Sequence, residues 1–206
     1  MKEKLFIYGA GDNGVRLALD MQDGKKLKNY HFSGFVDDSK SGLVVGFKVL
    51  GAWDVCEELL DRGINNAVVS LLGDPVKRLS KCLELEKMGF NFPSVYSYEN
   101  VPRTVEKGNG IFIHETSVFL GYDQKIGDYV VIGPNTTIQG RTSIGRGSIV
   151  CPHSFLGYNS LVGEACLLGV RSTVLPNLTL GNRVVVGPHV LQHRNLGDDE
   201  KSIRPY

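Results

Sequence analysis

The sequence predicts an α/β domain with a small Rossmann-like parallel sheet over residues 1–107, followed by an all-β left-handed parallel β-helix over residues 108–206. Three observations support this division. In the first half, short apolar runs alternate with helix-like stretches, which is typical of a parallel sheet covered by helices. A glycine-rich turn separates the first run from the first of these stretches. From about Gly108 onward, helical periodicity stops and a repeat with a period of six begins.

The first domain is predicted to contain four strands, which alternate with helices. The strands are expected at Lys4–Tyr8, His31–Asp38, Asn66–Leu72 and Phe92–Tyr96. Helices are expected after the glycine-rich turn, over Trp53–Arg62 and over Asp74–Met88. Asp74 and Pro75 suit the N-cap and first position of the last helix, because aspartate accepts from free N–H groups and proline lacks one.

The glycine-rich turn runs Gly9-Ala10-Gly11-Asp12-Asn13-Gly14 and is a candidate phosphate site. Its N–H groups and the following helix dipole are suited to a pyrophosphate, and acidic residues at the next strand end to a ribose or base. The candidate nucleotide-sugar-binding residues are Gly9, Gly11, Asp12, Asn13, Asp37 and Asp38. The alternatives are a tight turn without ligand and two solvated carboxylates. A nicotinamide dinucleotide is disfavoured, because the domain lacks a second nucleotide-binding half.

The repeat places an aliphatic residue at twelve consecutive sixth positions, without an insertion. These residues are Leu120, Ile126, Ile132, Ile138, Ile144, Val150, Leu156, Val162, Leu168, Val174, Leu180 and Val186. Glycine follows in nine of the twelve hexads, and the fifth position is mostly Ser, Thr, Val or Cys, with exceptions at Gln124 and Leu178. Each hexad is therefore predicted to form one strand and one corner. The residue just inside the corner must be small, and the corner often needs a positive φ, which glycine gives without steric cost. Three hexads make a triangular coil, and the coils stack as in other solenoids. An ordinary β-sandwich would instead need a period of two.

Composition excludes several function classes. A formal charge of +1 and a sequence pI near 7.7 provide no charged surface suited to nucleic acid or an anionic membrane. No signal peptide or membrane-spanning segment is apparent, so a cytoplasmic protein without membrane insertion is expected. The four cysteines lack metal-ligand spacing and are expected to be buried thiols.

The two halves together resemble nucleotide-sugar N-acetyltransferases and sialic-acid-type O-acetyltransferases with hexapeptide repeats. The resemblance rests on the glycine-rich turn, the strand end Gly34-Phe35-Val36-Asp37-Asp38, the hexads and the segment from Leu168 to Leu178. It implies a homotrimer, in which the first domain binds a nucleotide-sugar and the β-helix binds acyl-CoA between subunits. The expected reaction is transfer from acetyl-CoA, without a metal, to an amino sugar used for lipopolysaccharide or other surface glycans; transfer to a hydroxyl is the second possibility.

The resemblance also implies a histidine general base, whose near-neutral pKa suits proton transfer. The matching positions in this chain are Tyr158 and Gly140. Steps of eighteen residues instead align a polar column along one edge of the β-helix, composed of Asn135, His153, Arg171 and His189. We therefore take His153 as the candidate base, Tyr158 as a residue that positions the acceptor, and Arg171 and Gly169 as candidate CoA-binding residues. The alternative is that the column is solvated or forms subunit contacts.

Two other functions remain as alternatives. One is a non-catalytic trimeric protein that binds a nucleotide-sugar, which the tyrosine at position 158 favours. The other is a zinc site between subunits. His153 and His189 are two coils apart, roughly 10 Å at the usual strand spacing, which is too far to share a metal within one chain.

Overall fold

A computed structural model describes residues 2–96 and 100–204. The chain forms two compact units, one composed of Met1–Gly73 and Ser80–Pro93, the other of Asp74–Leu79 and Ser94–Tyr206. That the first domain binds a nucleotide-sugar and the second transfers an acyl group stays a prediction.

The first unit is built on a five-stranded sheet in the order β3-β4-β2-β1-β5. Its strands are β1 (Glu3–Tyr8), β2 (Tyr30–Val36), β3 (Leu43–Val44), β4 (Phe47–Gly51) and β5 (Asn66–Val69). All neighbouring pairs are parallel except β3 with β4. The helices are α1 (Asp12–Gln22), a 3-10 turn (Trp53–Val55) and α2 (Cys56–Asp61), together with the part of α3 (Pro75–Met88) that follows Leu79. The central strand β1 is fully buried at Leu5, Phe6 and Ile7, as expected for a parallel strand covered on both faces.

Two details of this unit differ from the predictions. The predicted strand Phe92–Tyr96 is wrong: only isolated bridges occur here, from Asn91 to Asn66 and from Val95 to Phe112. The hairpin of β3 and β4 was not predicted, because its two-residue turn places Val45 at φ +50°, a conformation that β-branched residues rarely adopt.

The second unit is a left-handed parallel β-helix with three flat faces, and this confirms the predicted fold class. The first face contains Phe112–Ile113, Val131–Ile132, Ile149–Val150, Leu167–Leu168, Val185–Val186 and Lys201–Ser202. The second face contains Val118–Phe119, Thr137–Ile138, Phe155–Leu156, Thr173–Val174 and Leu191–Gln192. The third face contains Glu106–Lys107, Lys125–Ile126, Ser143–Ile144, Leu161–Val162 and Thr179–Leu180. All strand pairings between coils are parallel.

Aliphatic side chains fill the interior, except at the first predicted position. From Ile126 to Val186, all eleven residues of the series are at most 4% exposed. Leu120 is 48% exposed, so its predicted interior place is wrong. Phe119 takes that place, because it pairs with Ile138 in the next coil and packs against the core. The corner after Phe119 therefore contains one residue more than the corners between Ile126 and Val186.

The repeated glycines are needed for space rather than for a positive φ. A methyl group at Gly145 would lie 2.5 Å from the backbone carbon of Gly163 in the next coil. Of the nine glycines, only Gly121 has a left-handed φ, at +83°. Left-handed φ values occur two residues later in most hexads, for example at Asn135, Arg141 and His153. The corners do adopt the predicted positive φ, but of the repeated glycines only Gly121 supplies it; at the others the structure supports the predicted need for a small residue.

The helix α3 begins as predicted. The N–H of Lys77 donates to the Asp74 carboxylate at 2.9 Å, which identifies Asp74 as the N-cap. Pro75 is the first residue of the helix.

Candidate functional site

The glycine-rich turn connects β1 to α1 and places the start of the helix beside the sheet. Gly9 has a φ of +100°, and its N–H donates to the carbonyl of Val36 at 2.8 Å. Gly11 is the N-cap of α1, and Asp12 and Asn13 are exposed in its first turn. First-turn N–H groups have no acceptor within their own helix, so they are suited to bind an anion. The turn leads directly into α1, as predicted; nucleotide-sugar binding by Gly9, Gly11, Asp12 and Asn13 stays a prediction.

Gly14→Ala is expected to destabilise this unit by about 2 kcal/mol or more, because overpacking forces backbone shifts. A methyl group at Gly14 would overlap the carbonyl oxygen of Gly9, whereas no atom lies within 4 Å of one at Gly11. Gly11→Ala is the matched control and is expected to leave the unfolding free energy within about 0.5 kcal/mol of wild type. Urea denaturation of both variants measures this. Equal losses would show that the close approach at Gly14 is not what the turn requires.

Asp37 joins the end of β2 to the glycine-rich turn. Its carboxylate accepts from the N–H of Ala10 at 2.7 Å, of Ser39 at 2.9 Å and of Lys40 at 3.1 Å, and from the Ser39 hydroxyl at 2.8 Å. Lys40 Nζ in turn donates to the Ala10 carbonyl at 2.6 Å. Burial alone would raise the pKa of Asp37, but these donors outweigh it and hold the pKa below its usual value. Asp37 thus fixes the conformation of the turn.

The neighbouring Asp38 also binds protein groups. It accepts from the Tyr8 hydroxyl at 2.6 Å and from the N–H of Trp53 at 2.9 Å. Burial, followed by the hydrogen bond to Asp38, raises the pKa of Tyr8, which therefore remains a donor. The structure gives both carboxylates roles in holding the strand ends together. Their predicted contact with a ribose or base stays a prediction.

Asp37→Ala is expected to lower the melting temperature at neutral pH and to lose this effect in acid. A carboxylate with a depressed folded pKa stabilises the protein above its unfolded pKa, about 3.9 for aspartate, and this contribution is lost as pH falls through the folded value. The difference in melting temperature between wild type and variant should therefore shrink below about pH 4. Thermal denaturation between about pH 7 and pH 3 measures it. A difference that is constant over this range would show that the Asp37 charge contributes nothing.

A groove lies at one corner of the β-helix, between the second and third faces, and is built within the second unit. It has a volume of about 240 Å³ and is lined by Leu120, Gly121, Tyr122, Gln139, Gly140 and Tyr158. The additional residue after Phe119 belongs to this corner. Both positions at which the resemblance places a histidine, Gly140 and Tyr158, line the groove. The sequence prediction did not include Tyr122 or Gln139. Tyr122 could have been found by counting eighteen residues back from Gly140, which gives the equivalent position on the preceding coil.

Hydrogen bonds order the backbone of this groove. The N–H of Tyr158 donates to Gln139 Oε1 at 2.8 Å, and the N–H of Asn177 donates to the carbonyl of Tyr158 at 2.9 Å. The Tyr158 side chain is 42% exposed. Its ring is therefore accessible to a ligand, while both its N–H and its carbonyl are held by hydrogen bonds.

The predicted polar column occupies another corner, between the first and second faces. Asn135, His153, Arg171 and His189 all have left-handed φ values between +56° and +61° and are exposed. Backbone bonds link the successive coils: the N–H of Arg171 donates to the carbonyl of Pro152 at 3.0 Å. Gly169, by contrast, is buried, and a methyl group there would lie 2.6 Å from the N atom of Pro188. The four residues of the polar column therefore lie at equivalent positions of successive coils, as predicted. Gly169 is instead packed against the next coil.

His153 and Tyr158 lie at different corners of the same coil. Four residues lie between them along the second face, and each residue of a strand spans about 3.3 Å. The structure does not bring the two candidate catalytic side chains together within one chain. Their catalytic roles, and CoA binding by Arg171 and Gly169, stay predictions.

Among residues 2–96 and 100–204, no group of three or more His, Cys, Asp or Glu side chains is placed to hold a metal ion. Within the same residues, no helix is both long and apolar enough to span a bilayer. The cysteines form no disulfides, and burial raises the pKa of Cys56 to about 12.

Comparison with known families identifies the repeat. Residues 125–157 match the family model for bacterial transferase hexapeptide (six repeats). No significant match was found among curated proteins.

Solved structures share the fold over almost the entire chain. PerB from Caulobacter crescentus, in complex with CoA and GDP-perosamine, is 23% identical, with a TM-score of 0.83 over 95% of this chain and 91% of its own. The acetyltransferase domain of PglB from Neisseria gonorrhoeae FA1090, in complex with acetyl coenzyme A, is 21% identical, with a TM-score of 0.82 over 98% and 96%. A variant of GDP-perosamine N-acetyl transferase from Caulobacter crescentus is 20% identical, with a TM-score of 0.73 over 98% and 93%. The resemblance predicted from the sequence is confirmed for the hexapeptide repeat and the fold.

Proposed function

We propose that this protein is an acyltransferase that moves an acyl group from acyl-CoA, expected to be acetyl-CoA, to a nucleotide-linked amino sugar. The observation that carries the proposal is the groove at Tyr158 and Gly140, which lies where the resemblance places the catalytic base. The complexes of PerB and PglB with CoA, GDP-perosamine or acetyl coenzyme A support the same ligand classes for this fold. We further propose that the reaction is cytoplasmic and contributes to surface polysaccharide synthesis.

The proposed reaction is a direct transfer. The sugar amine attacks the thioester carbonyl, the C–N bond forms, and the C–S bond of the tetrahedral intermediate breaks. The base accepts the proton lost by the amine, and the CoA thiolate leaves and is protonated. A general base of near-neutral pKa contributes about 100- to 10,000-fold to such a step.

The residues are assigned to this reaction as follows. His153 accepts the proton, Tyr158 positions the acceptor, and Arg171 with Gly169 binds CoA. The glycine-rich turn holds the nucleotide diphosphate in the first unit. Since His153 and Tyr158 lie at different corners, a site that uses both requires two copies of the chain. A closed homotrimer provides three such sites, because each copy then presents one corner to each neighbour.

An assay of CoA release tests the proposal. Acetyl-CoA is incubated with a panel of UDP-, dTDP- and GDP-linked amino sugars, and free CoA is separated by chromatography. Wild type should turn over at least one acceptor, and His153→Ala should lower kcat by about 100-fold or more. Tyr158→Phe should mainly raise the KM for the acceptor. His189→Ala, in the same column, is the matched control and should retain activity.

The non-catalytic alternative gives a different outcome. Tyr158, which stands where a histidine is expected, favours it. No CoA release with any acceptor, together with tight binding of a nucleotide-sugar by calorimetry, would replace the enzymatic proposal with a binding function. Gly11→Ala tests the binding site in either case: its methyl group contacts no protein atom within 4 Å, so weaker binding without loss of stability would locate the ligand at the turn.

A further inference from the structure

The groove contains a slot between two tyrosines. Tyr122, Gly140 and Tyr158 occupy equivalent positions on three successive coils. The N–H of Arg141 donates to the carbonyl of Tyr122, and the N–H of Asn159 donates in the same way to the carbonyl of Gly140. Two coil spacings separate the two tyrosine backbones by about 10 Å. Gly140, the residue between the two tyrosines in the stack, has no side chain, and all three residues line the groove. We call these three residues the tyrosine slot.

A guanidinium lies beside the slot. Arg141 follows Gly140 at a left-handed φ of +55°, and its N–H is fixed to the carbonyl of Tyr122 at 2.9 Å. Its side chain donates to the Tyr122 hydroxyl at 3.4 Å. The guanidinium carbon lies 5.9 Å from the ring centre of Tyr122 and 5.8 Å from that of Tyr158. Both distances permit a cation–π interaction, which orients the cation toward the slot.

The charge of Arg141 is not neutralised by an ion pair within the described residues. Two other exposed arginines on the β-helix do form pairs: Arg146 with Glu164 at 3.0 Å, and Arg183 with Asp199 at 2.7 Å. Arg141 forms none in residues 2–96 and 100–204. Asp123, one coil below on the same corner, forms no ion pair with Arg141 either.

We propose that Arg141 and the tyrosine slot bind an anionic group of the acceptor, so that the preferred acceptor sugar presents a carboxylate or a phosphate close to the reacting amine. The two tyrosine rings line the groove together with Gly140, and an aromatic face is suited to pack against the C–H groups of a sugar ring. A guanidinium with free donors pairs with two oxygens of a carboxylate or phosphate in a fixed geometry. The inference rests on the proposed function, because it assigns the groove to the acceptor.

A binding experiment tests this without acyl transfer. The protein is labelled with ¹⁵N-arginine, and the Nε–H signal of Arg141 is assigned by its absence in Arg141→Gln. Three probes are then titrated: methyl glucuronide carries a carboxylate, glucose 1-phosphate carries a phosphate, and methyl glucoside is neutral. We expect a saturable shift with at least one anion, with a Kd on the order of 1 mM, and none with the neutral sugar. Arg183, paired with Asp199 through two bonds of 2.7 Å, is the internal control and should not shift.

The outcomes separate the two sources of the anion. A shift with the glucuronide assigns the slot to a uronic-acid-type sugar, and a shift with only the phosphate assigns it to a sugar that carries a phosphate near the reacting amine. Absence of a shift with both anions overturns the proposal, as does an equal shift of the Arg183 signal. Because no acyl donor is present, a negative result here is distinct from failure of CoA release. In the transfer assay, Arg141→Gln should raise the KM for an anionic acceptor about tenfold and leave kcat nearly unchanged, whereas Arg183→Gln should change neither.

Discussion

Co-expression of His153→Ala and Tyr158→Ala subunits is expected to restore about a quarter of the wild-type acyl-transfer activity that each variant loses alone. The reason is geometric. The two side chains lie at different corners of the coil, so one proposed site takes His153 from one copy and Tyr158 from its neighbour. A site in a mixed trimer is intact when the first copy carries Tyr158→Ala and the second carries His153→Ala. Random mixing produces that arrangement at roughly one interface in four.

The control for this prediction is a pair of variants that cannot complement. A double variant, His153→Ala with Tyr158→Ala, co-expressed with His153→Ala should remain inactive. Differently tagged subunits and native mass spectrometry establish that mixed oligomers form. If mixed oligomers form without any recovery of activity, the two residues do not share an intersubunit site and the assignment of His153 is wrong.

Leu156→Ala is expected to lower the free energy of unfolding by about 3 kcal/mol. Leu156 is fully buried and stacks in register between Ile138 and Val174 of the adjacent coils. A coil in the middle of a stack contacts only its two neighbours, so a cavity there weakens both interfaces at once. Urea denaturation, followed by circular dichroism, measures the loss.

Leu161→Ala is the matched control on the third face of the same solenoid. Its side chain is 45% exposed, so the substitution should change stability by less than about 1 kcal/mol. Equal effects of the two substitutions would mean that interior aliphatic packing does not determine the stability of the β-helix.

The β-helix could be predicted from the sequence because its signal is periodic. A six-residue repeat specifies the strand, the corner and the coil together. Because one coil contains eighteen residues, His153 and Arg171, eighteen residues apart, are predicted to lie at the same corner. The first unit was predicted less completely, since a strand that forms through only two bridges, as at Asn91 and Val95, depends on distant partners rather than on local propensity.

The groove could not be derived from the repeat, because it forms where the repeat is irregular. Counting six backward from Ile126 places Leu120 in the core, but Phe119 occupies that place and the corner gains a residue. The proposed pairing of Arg141 with two tyrosines depends on side-chain directions at this corner. Likewise, the sequence indicates that Asp37 and Asp38 end a strand, but only the structure shows that their oxygens accept from Ala10, Tyr8 and Trp53.

The uninterrupted count of six between Ile126 and Val186 restricts which changes in chain length this protein tolerates. Deleting one hexad between Ile126 and Leu156 would turn every later residue by one corner and separate Tyr158 from Tyr122. Deleting or adding eighteen residues beyond Asn177 would instead change the height of the stack by one coil, about 4.8 Å, and leave each corner unchanged. The height of the prism can therefore vary in whole coils without altering the chemistry at its corners.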